Sequence, residues 1–286
     1  MPPRPIAPIG AHVSVAGGLV KALPRAAAIG AEVLQVFVAN PRGWAPPAPD
    51  ADGDAAFAVG CTAPVFVHAP YLINFGSPSP ETLARSADAL RFSLTRGAAI
   101  GAGGVVVHAG SAVLGNRWDD AMHQVREHVL PVLDSVPGGP ALLIEPTAGG
   151  GGALASDASS LAAYLDGLDR DERVGVCLDT CHMHAAGHDL STVRGFTAAL
   201  REFGRAAGRG RIGLVHVNDS RDPAGSKRDR HEAIGRGTIG AAPFAALFAS
   251  PATRRVPMVV ETADTDHAAD IVTLVAHRDA ATVGAG

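Results

Sequence analysis

Eight short apolar runs, each followed by a loop and then by helically spaced apolar positions, constrain this chain more than any other feature. They are Ile9–His12, Val33–Val38, Val65–His68, Val105–His108, Ala141–Glu145, Val174–Asp179, Ile212–His216 and Pro257–Glu261. Strand-like runs alternating with helical stretches are the pattern of βα units on a parallel sheet. The runs start 24 to 45 residues apart, the repeat that an α/β fold closed as a (β/α)8 TIM barrel of about 250 residues requires. At 286 residues and 47% apolar content, the chain can fill such a barrel without disulfides. We therefore expect one barrel domain over 1–286, ordered from about 6 to 280, with 281–286 a frayed tail.

Between the runs, Ser79-Pro80-Glu81 opens a helix with a capping residue and a proline in its first turn, and Leu83, Ala87, Leu90 and Leu94 mark one face. Pro41–Cys61 carries six prolines or glycines before a short alanine-rich stretch and reads as a long loop. Cys61, Cys177 and Cys181 cannot all pair and form no Cys-type zinc module, so a reducing, cytoplasmic setting is expected. Met1–Gly10 is proline-rich and lacks the apolar core of a secretory signal. Residues 55–80 and 97–116 are free of charged side chains, but His, Gly, Asn and Pro interrupt them. They read as buried strands with their loops, and no membrane partner is expected. The formal charge of −4 weighs mildly against a nucleic-acid partner.

From the third run to the eighth, each run ends in a side chain able to bind a metal: His68, His108, Glu145, Asp179, His216 and Glu261. With 12 histidines and 28 acidic residues in the chain, six successive hits would arise by composition about once in a hundred thousand. Choosing strand ends after the fact inflates that figure, and a single strand-end histidine is more often a hydrogen-bonded loop residue. Convergence supplies the reason for the set, because the carboxyl ends of all barrel strands meet at one mouth. His182, three residues past Asp179, and the Asp229-x-His231 pair raise the candidates to nine. Nine ligands suit about two or three ions, and imidazole with carboxylate favours Zn²⁺, with Mn²⁺ admissible at some positions.

The remaining candidates have plainer readings. Cys177 and Cys181 read as packing residues, and His123, His128, His267 and His277 as helix histidines away from the mouth. His184 and His188 read as structural neighbours of His182. The loop after the seventh run is basic, with Arg221, Lys227, Arg228, Arg230 and Arg236. An ordinary solvated loop is the default there, but its place between metal ligands favours phosphate contact. Gly149–Gly152 would let a backbone approach closely and offer N–H groups. Three divalent ions would bring the formal −4 to about +2, with the positive charge gathered at the mouth.

One family carries this set of segments: Gly10-Ala11-His12-Val13-Ser14 with Ala16-Gly17-Gly18, His68-Ala69-Pro70-Tyr71-Leu72-Ile73-Asn74, His108-Ala109-Gly110-Ser111, Cys177-Leu178-Asp179-Thr180-Cys181-His182, His216-Val217-Asn218-Asp219, Asp229-Arg230-His231 and Glu261-Thr262. Over nearly the whole chain they resemble the endonuclease IV type of apurinic/apyrimidinic endonucleases, DNA-repair enzymes on a (β/α)8 barrel with three metals. The resemblance implies that Glu145 is catalytic and bridges two zinc ions, one also held by His68 and His108, the other by Asp179, His216 and Glu261. His182, Asp229 and His231 would hold a third. It further implies that Arg42, Tyr71 and Leu72 enter duplex DNA at an abasic site, and the cations of the basic loop expected on its phosphates are Lys227, Arg228, Arg230 and Arg236. Hydrolysis 5′ to the lesion, a 3′-trimming side activity, a monomer, and a cytoplasmic enzyme associated with the nucleoid through DNA are the corresponding expectations.

The chain departs from the family pattern in three places: Ala39 replaces a usual lysine, Pro146 a usual asparagine and Arg236 a common glutamate. Pro146 removes a side-chain amide and a backbone donor next to Glu145. Two other readings stay open. Glu145, Asp179, His216 and Glu261 alone would suit a sugar isomerase or epimerase of the xylose-isomerase-like barrels, and Pro146 is compatible with a protein that binds abasic DNA without cutting it.

Overall fold

The structure, a computed structural model, describes residues 7–113 and 115–283. Strands β1 (Ile9–His12), β2 (Leu34–Phe37), β3 (Val65–His68), β4 (Gly104–His108), β5 (Ala141–Glu145), β6 (Val174–Asp179) and β7 (Ile212–His216) precede a short antiparallel pair, β8 (Asp219–Ser220) and β9 (His231–Glu232), and β10 (Met258–Val260). The barrel closes in the order β1-β10-β7-β6-β5-β4-β3-β2, every pair parallel. All eight expected runs supply a barrel strand. Val33, Val38, Pro257 and Glu261 fall just outside the strands, and β4 begins one residue early.

Helices α1 (Ala22–Ala28), α2 (Ala51–Gly60), α3 (Pro80–Ala99), α4 (Trp118–Asp134), α5 (Ala158–Gly167), α6 (Thr180–Ala186), α7 (Val193–Ala207), α8 (Ala245–Ala249) and α9 (His267–Val283) surround it. α3 begins where expected: Ser79 Oγ accepts from Thr82 N, and Leu83, Leu90 and Leu94 are buried. α2 corrects the expected long loop over 41–61. The Asp50 carboxylate accepts from Gly53 N to cap it, Phe57 is buried, and Asp54 pairs with Arg96 of α3 at 2.8 Å. Tertiary anchoring thus overrides poor local propensity. The expected tail is also corrected in part, since α9 continues to Val283; residues 284–286 lie outside the described residues, as do 1–6 of the proline-rich amino terminus. No described helix is long and apolar enough to cross a membrane.

The barrel interior is layered by the two-residue period of its strands. Val33, Phe66, Val106, Leu143, Cys177, Leu214 and Val259 form a closed apolar cluster. A Cβ at Gly104, Gly175 or Gly213 would come within 2.9 Å of a Leu143 methyl, so three positions forgo side chains to let one leucine fill the centre. Two residues further along each chain stand Gln35, His68, His108, Glu145, Asp179, His216 and Glu261, on the same inward face. A register slip at Val176/Cys177 completes the alignment by setting Asp179 opposite His216. Without the slip Asp179 would face Val215, whose side chain points the other way.

Candidate metal centre

The apolar layer forms the floor of a polar cup. Glu145 is fully buried at its middle, with His68 Nε2 at 3.4 Å and His108 Nε2 at 3.5 Å from Oε2, and His216 Nδ1 at 3.1 Å from Oε1. His216 Nδ1 also lies 3.2 Å from Glu261 Oε2 and 3.9 Å from Asp179 Oδ2. The Asp179 carboxylate is shared. Its Oδ1 accepts from His182 N to cap α6, and its Oδ2 accepts from Asn218 Nδ2 at 2.7 Å. The three-residue spacing of Asp179 and His182 is therefore the spacing of a helix cap, which carries His182 into the cup. There its Nε2 lies 3.1 Å from Asp229 Oδ2, whose other oxygen is 3.1 Å from His231 Nε2.

The potential ligand atoms gather into groups within 4.8 Å: His68, His108 and Glu145; Glu145, Asp179, His216 and Glu261; and His182, Asp229 and His231. All nine candidates are thus brought together, and Glu145 belongs to two groups. Among the described residues, the ion-pair partners of these four carboxylates are all histidines. Glu145 Oε2 and His231 Nε2 are buried without a hydrogen-bond partner. Buried anions without lysine or arginine, plus orphaned donor atoms, are what divalent cations would satisfy.

Electrostatics point the same way. Burial brings His108 down to about 4, so its imidazole is neutral and its lone pair free near pH 7. Burial opposes ionisation of Glu145, yet His216 and His108 hold its carboxyl well below the usual range. Against burial, the neighbouring carboxylates of Asp179 and Asp229 raise His231 to about 9, and they likewise hold His182 high. Those protons occupy positions that a cation would take. Cys177 Sγ lies within the same reach of Glu145 and His216, but burial pushes its thiol up to about 12; burial raises Cys181 also. Protonated thiols are poor ligands.

The outer residues divide. Tyr71 is 45% exposed while its ring packs edge-on against Phe37 and His68 and lies 5.5 Å from the His108 ring, so it is anchored over the cup with part of its surface open. Its N–H bonds to Pro41 O, tying it to the exposed Arg42 loop, and Leu72 is half-buried beside it. In the basic loop most cations already have carboxylates: Arg230 grips Asp222 at 2.6 Å, Arg228 lies 3.7 Å from it, Arg221 reaches Glu232 and Arg236 reaches Asp266. Lys227 has no carboxylate within 4 Å among the described residues, and it packs over Gly149. His184 is buried and bonded to Leu190 N and Thr238, and His267 donates to Thr262 O, as structural histidines do. Ala39 lines an open cavity of about 700 Å³ beside His12.

Sequence reasoning passed over four residues. His12 and Gln35 complete the polar ring from β1 and β2, and Asn218 bonds Asp179. Asp219 organises the ligand loop: its buried carboxylate accepts from the N–H groups of Ser220, Gly235, Gly237, Ile239 and Gly240. An amide in its place would turn a donor toward those donors. Asp219→Asn is expected to cost about 3 kcal/mol, read as a melting temperature lower by roughly 6–10 °C. An unchanged melting point would show that the loop does not depend on it. Pro146, one of the departures, contributes its carbonyl: His182 Nδ1–H donates to it at 3.1 Å, a role that needs no side-chain amide.

The family model described as a xylose isomerase-like TIM barrel matches residues 23–279. A "Probable endonuclease 4" of Streptomyces coelicolor is 51% identical over 280 residues, 95% of each chain, and one of Nitratidesulfovibrio vulgaris is 40% identical over 91% of this chain and 94% of its own. The crystal structure of endonuclease IV from Thermus thermophilus superposes with a TM-score of 0.83 at 31% identity, covering 96% of this chain and 99% of that one. An L-ribulose 3-epimerase structure, at TM-score 0.71 and 18% identity over 98% of this chain and 99% of its own, shares the fold alone. The chain therefore belongs to the endonuclease IV family of xylose isomerase-like TIM barrels.

Proposed function

We propose that this chain is a DNA-repair endonuclease that uses three zinc ions to hydrolyse the phosphodiester 5′ to abasic sites in duplex DNA. The observation that carries the proposal is the sharing of Glu145 between two ligand groups beside a third built from His182, Asp229 and His231. Bound there, divalent ions would supply Lewis-acid activation of water and neutralise charge developing on the phosphodiester oxygens. Water adds to phosphorus, the bond to the upstream 3′ oxygen breaks, and that oxygen leaves with a proton. The products are a 3′-hydroxyl and a 5′-deoxyribose phosphate, and the same geometry would trim blocked 3′ ends.

The chain's own groups do the positioning. Ala69 O accepts a hydrogen bond from His68 Nδ1–H at 2.7 Å, so Nε2 presents its lone pair to the cup. Tyr71, with Leu72 and Arg42 on adjoining loops, forms the wedge that would fill the gap left by an extruded abasic nucleotide. Lys227 is the cation best placed for a flanking phosphate, whereas Arg228, Arg230 and Arg236 would first have to leave Asp222 and Asp266. Tyr71→Ala is expected to reduce the preference for abasic over intact duplex about tenfold, since a base–aromatic contact contributes about 1–3 kcal/mol. Competition binding with the two duplexes measures this, and unchanged discrimination would remove Tyr71 from recognition.

The epimerase reading requires one ion and leaves His68, His108, His182, Asp229 and His231 without a task. Incubating the purified protein side by side with an abasic duplex and with ketohexoses separates the two. Incision without sugar turnover supports the nuclease; sugar turnover without incision would replace it.

A further inference from the structure

We propose that Gln35 is a positioning residue of the metal centre, its carboxamide selecting which nitrogen of His216 and which oxygen of Glu261 face the ion shared with Glu145. The inference rests on the metal-centre reading above. Gln35 is fully buried in β2, a strand that otherwise contributes nothing to the ligand groups. Its Oε1 lies 2.8 Å from His216 Nε2, and its Nε2 lies 2.6 Å from Glu261 Oε1 and 2.9 Å from His12 Nδ1.

These contacts admit one orientation of the amide. Turning it over would set two oxygens 2.6 Å apart at Glu261, so the NH₂ must face the carboxylate and the carbonyl must face His216. An amide oxygen accepts and cannot donate, so His216 carries its proton on Nε2. The lone pair is then on Nδ1, the atom 3.1 Å from Glu145 Oε1 and 3.2 Å from Glu261 Oε2. Glu261 is sorted by the same amide: Oε1 is held by Gln35, leaving Oε2 turned toward the cluster. One side chain thus contacts two ligands from opposite sides, its NH₂ on Glu261 Oε1, which also lies 3.3 Å from His12 Nδ1, and its oxygen on His216. Glutamate at 35 would keep the acceptor but lose the donor; methionine would keep the shape and lose both.

The test compares zinc-loaded wild type, Q35M and Q35E by chelator competition and by NMR of ¹⁵N-labelled imidazoles. In wild type the His216 proton is expected on Nε2. Q35M is expected to lose about 10–100-fold in affinity at one ion of the set, keep the others, and lose the Nε2 proton signal. Q35E is expected to retain that signal. Q35M holding every ion at wild-type affinity with the His216 proton unmoved would overturn the proposal while leaving the metal centre intact. Should Q35M fail to fold, a Q35E protein whose His216 proton leaves Nε2 would overturn it equally. A wild-type chain that takes up no zinc would instead overturn the metal-centre reading on which the proposal stands.

Discussion

Glu145→Gln is expected to abolish strand incision, with a loss of about a thousandfold or more, while the barrel stays folded. The amide is nearly isosteric, so the apolar floor beneath it is undisturbed. It carries no charge, however, and it turns an NH₂ toward imidazole nitrogens at 3.1 to 3.5 Å. Two ligand groups lose their shared anion at once. Each factor of ten in rate corresponds to about 1.4 kcal/mol of transition-state stabilisation, and a bound ion supplies several. End-labelled abasic duplex measures the rate, and circular dichroism the fold. Wild-type turnover in this variant would remove Glu145 from the centre.

Removing the ions should have the second largest effect, and its pH dependence is specific. In the metal-free protein His231, raised to about 9, contributes stability that is fully present below its unfolded value near 6.5 and is lost as pH rises through 9. Zinc must displace that proton, so zinc affinity should rise about tenfold per pH unit across this window for each proton released. His108, brought down to about 4, releases none there. The gain in melting temperature on adding zinc is therefore expected to grow between pH 6.5 and 9. A gain that is flat or shrinks with pH would contradict the assignment of His231 as a ligand.

The barrel was legible because its strands are short apolar runs at regular intervals, and their last residues are where a parallel barrel collects function. Gln35 carries no such mark, because it sits inside an apolar run instead of at its end. Its place becomes clear once the two-residue period is counted from the apolar layer, Val33 to Gln35 as Val106 to His108. His12 ended the first run but stood apart from the six consecutive ligand types. Asp219 offered no local signal, since its five donors come from residues up to 21 positions away. The basic loop gains partners in a related way. Sequence displays Arg228, Arg230 and Arg236 as cations, whereas folding brings Asp222 and Asp266 to them. α2 was obscured by prolines and glycines, and its formation depends on Asp50, Phe57 and the distant Arg96.

The most direct test is incision of an end-labelled duplex bearing one abasic analogue, together with elemental analysis of the same purified protein. Cleavage 5′ to the lesion, leaving a 3′-hydroxyl, with close to three zinc ions per chain is the expected result. One ion per chain and no cleavage would contradict a centre built around a shared Glu145.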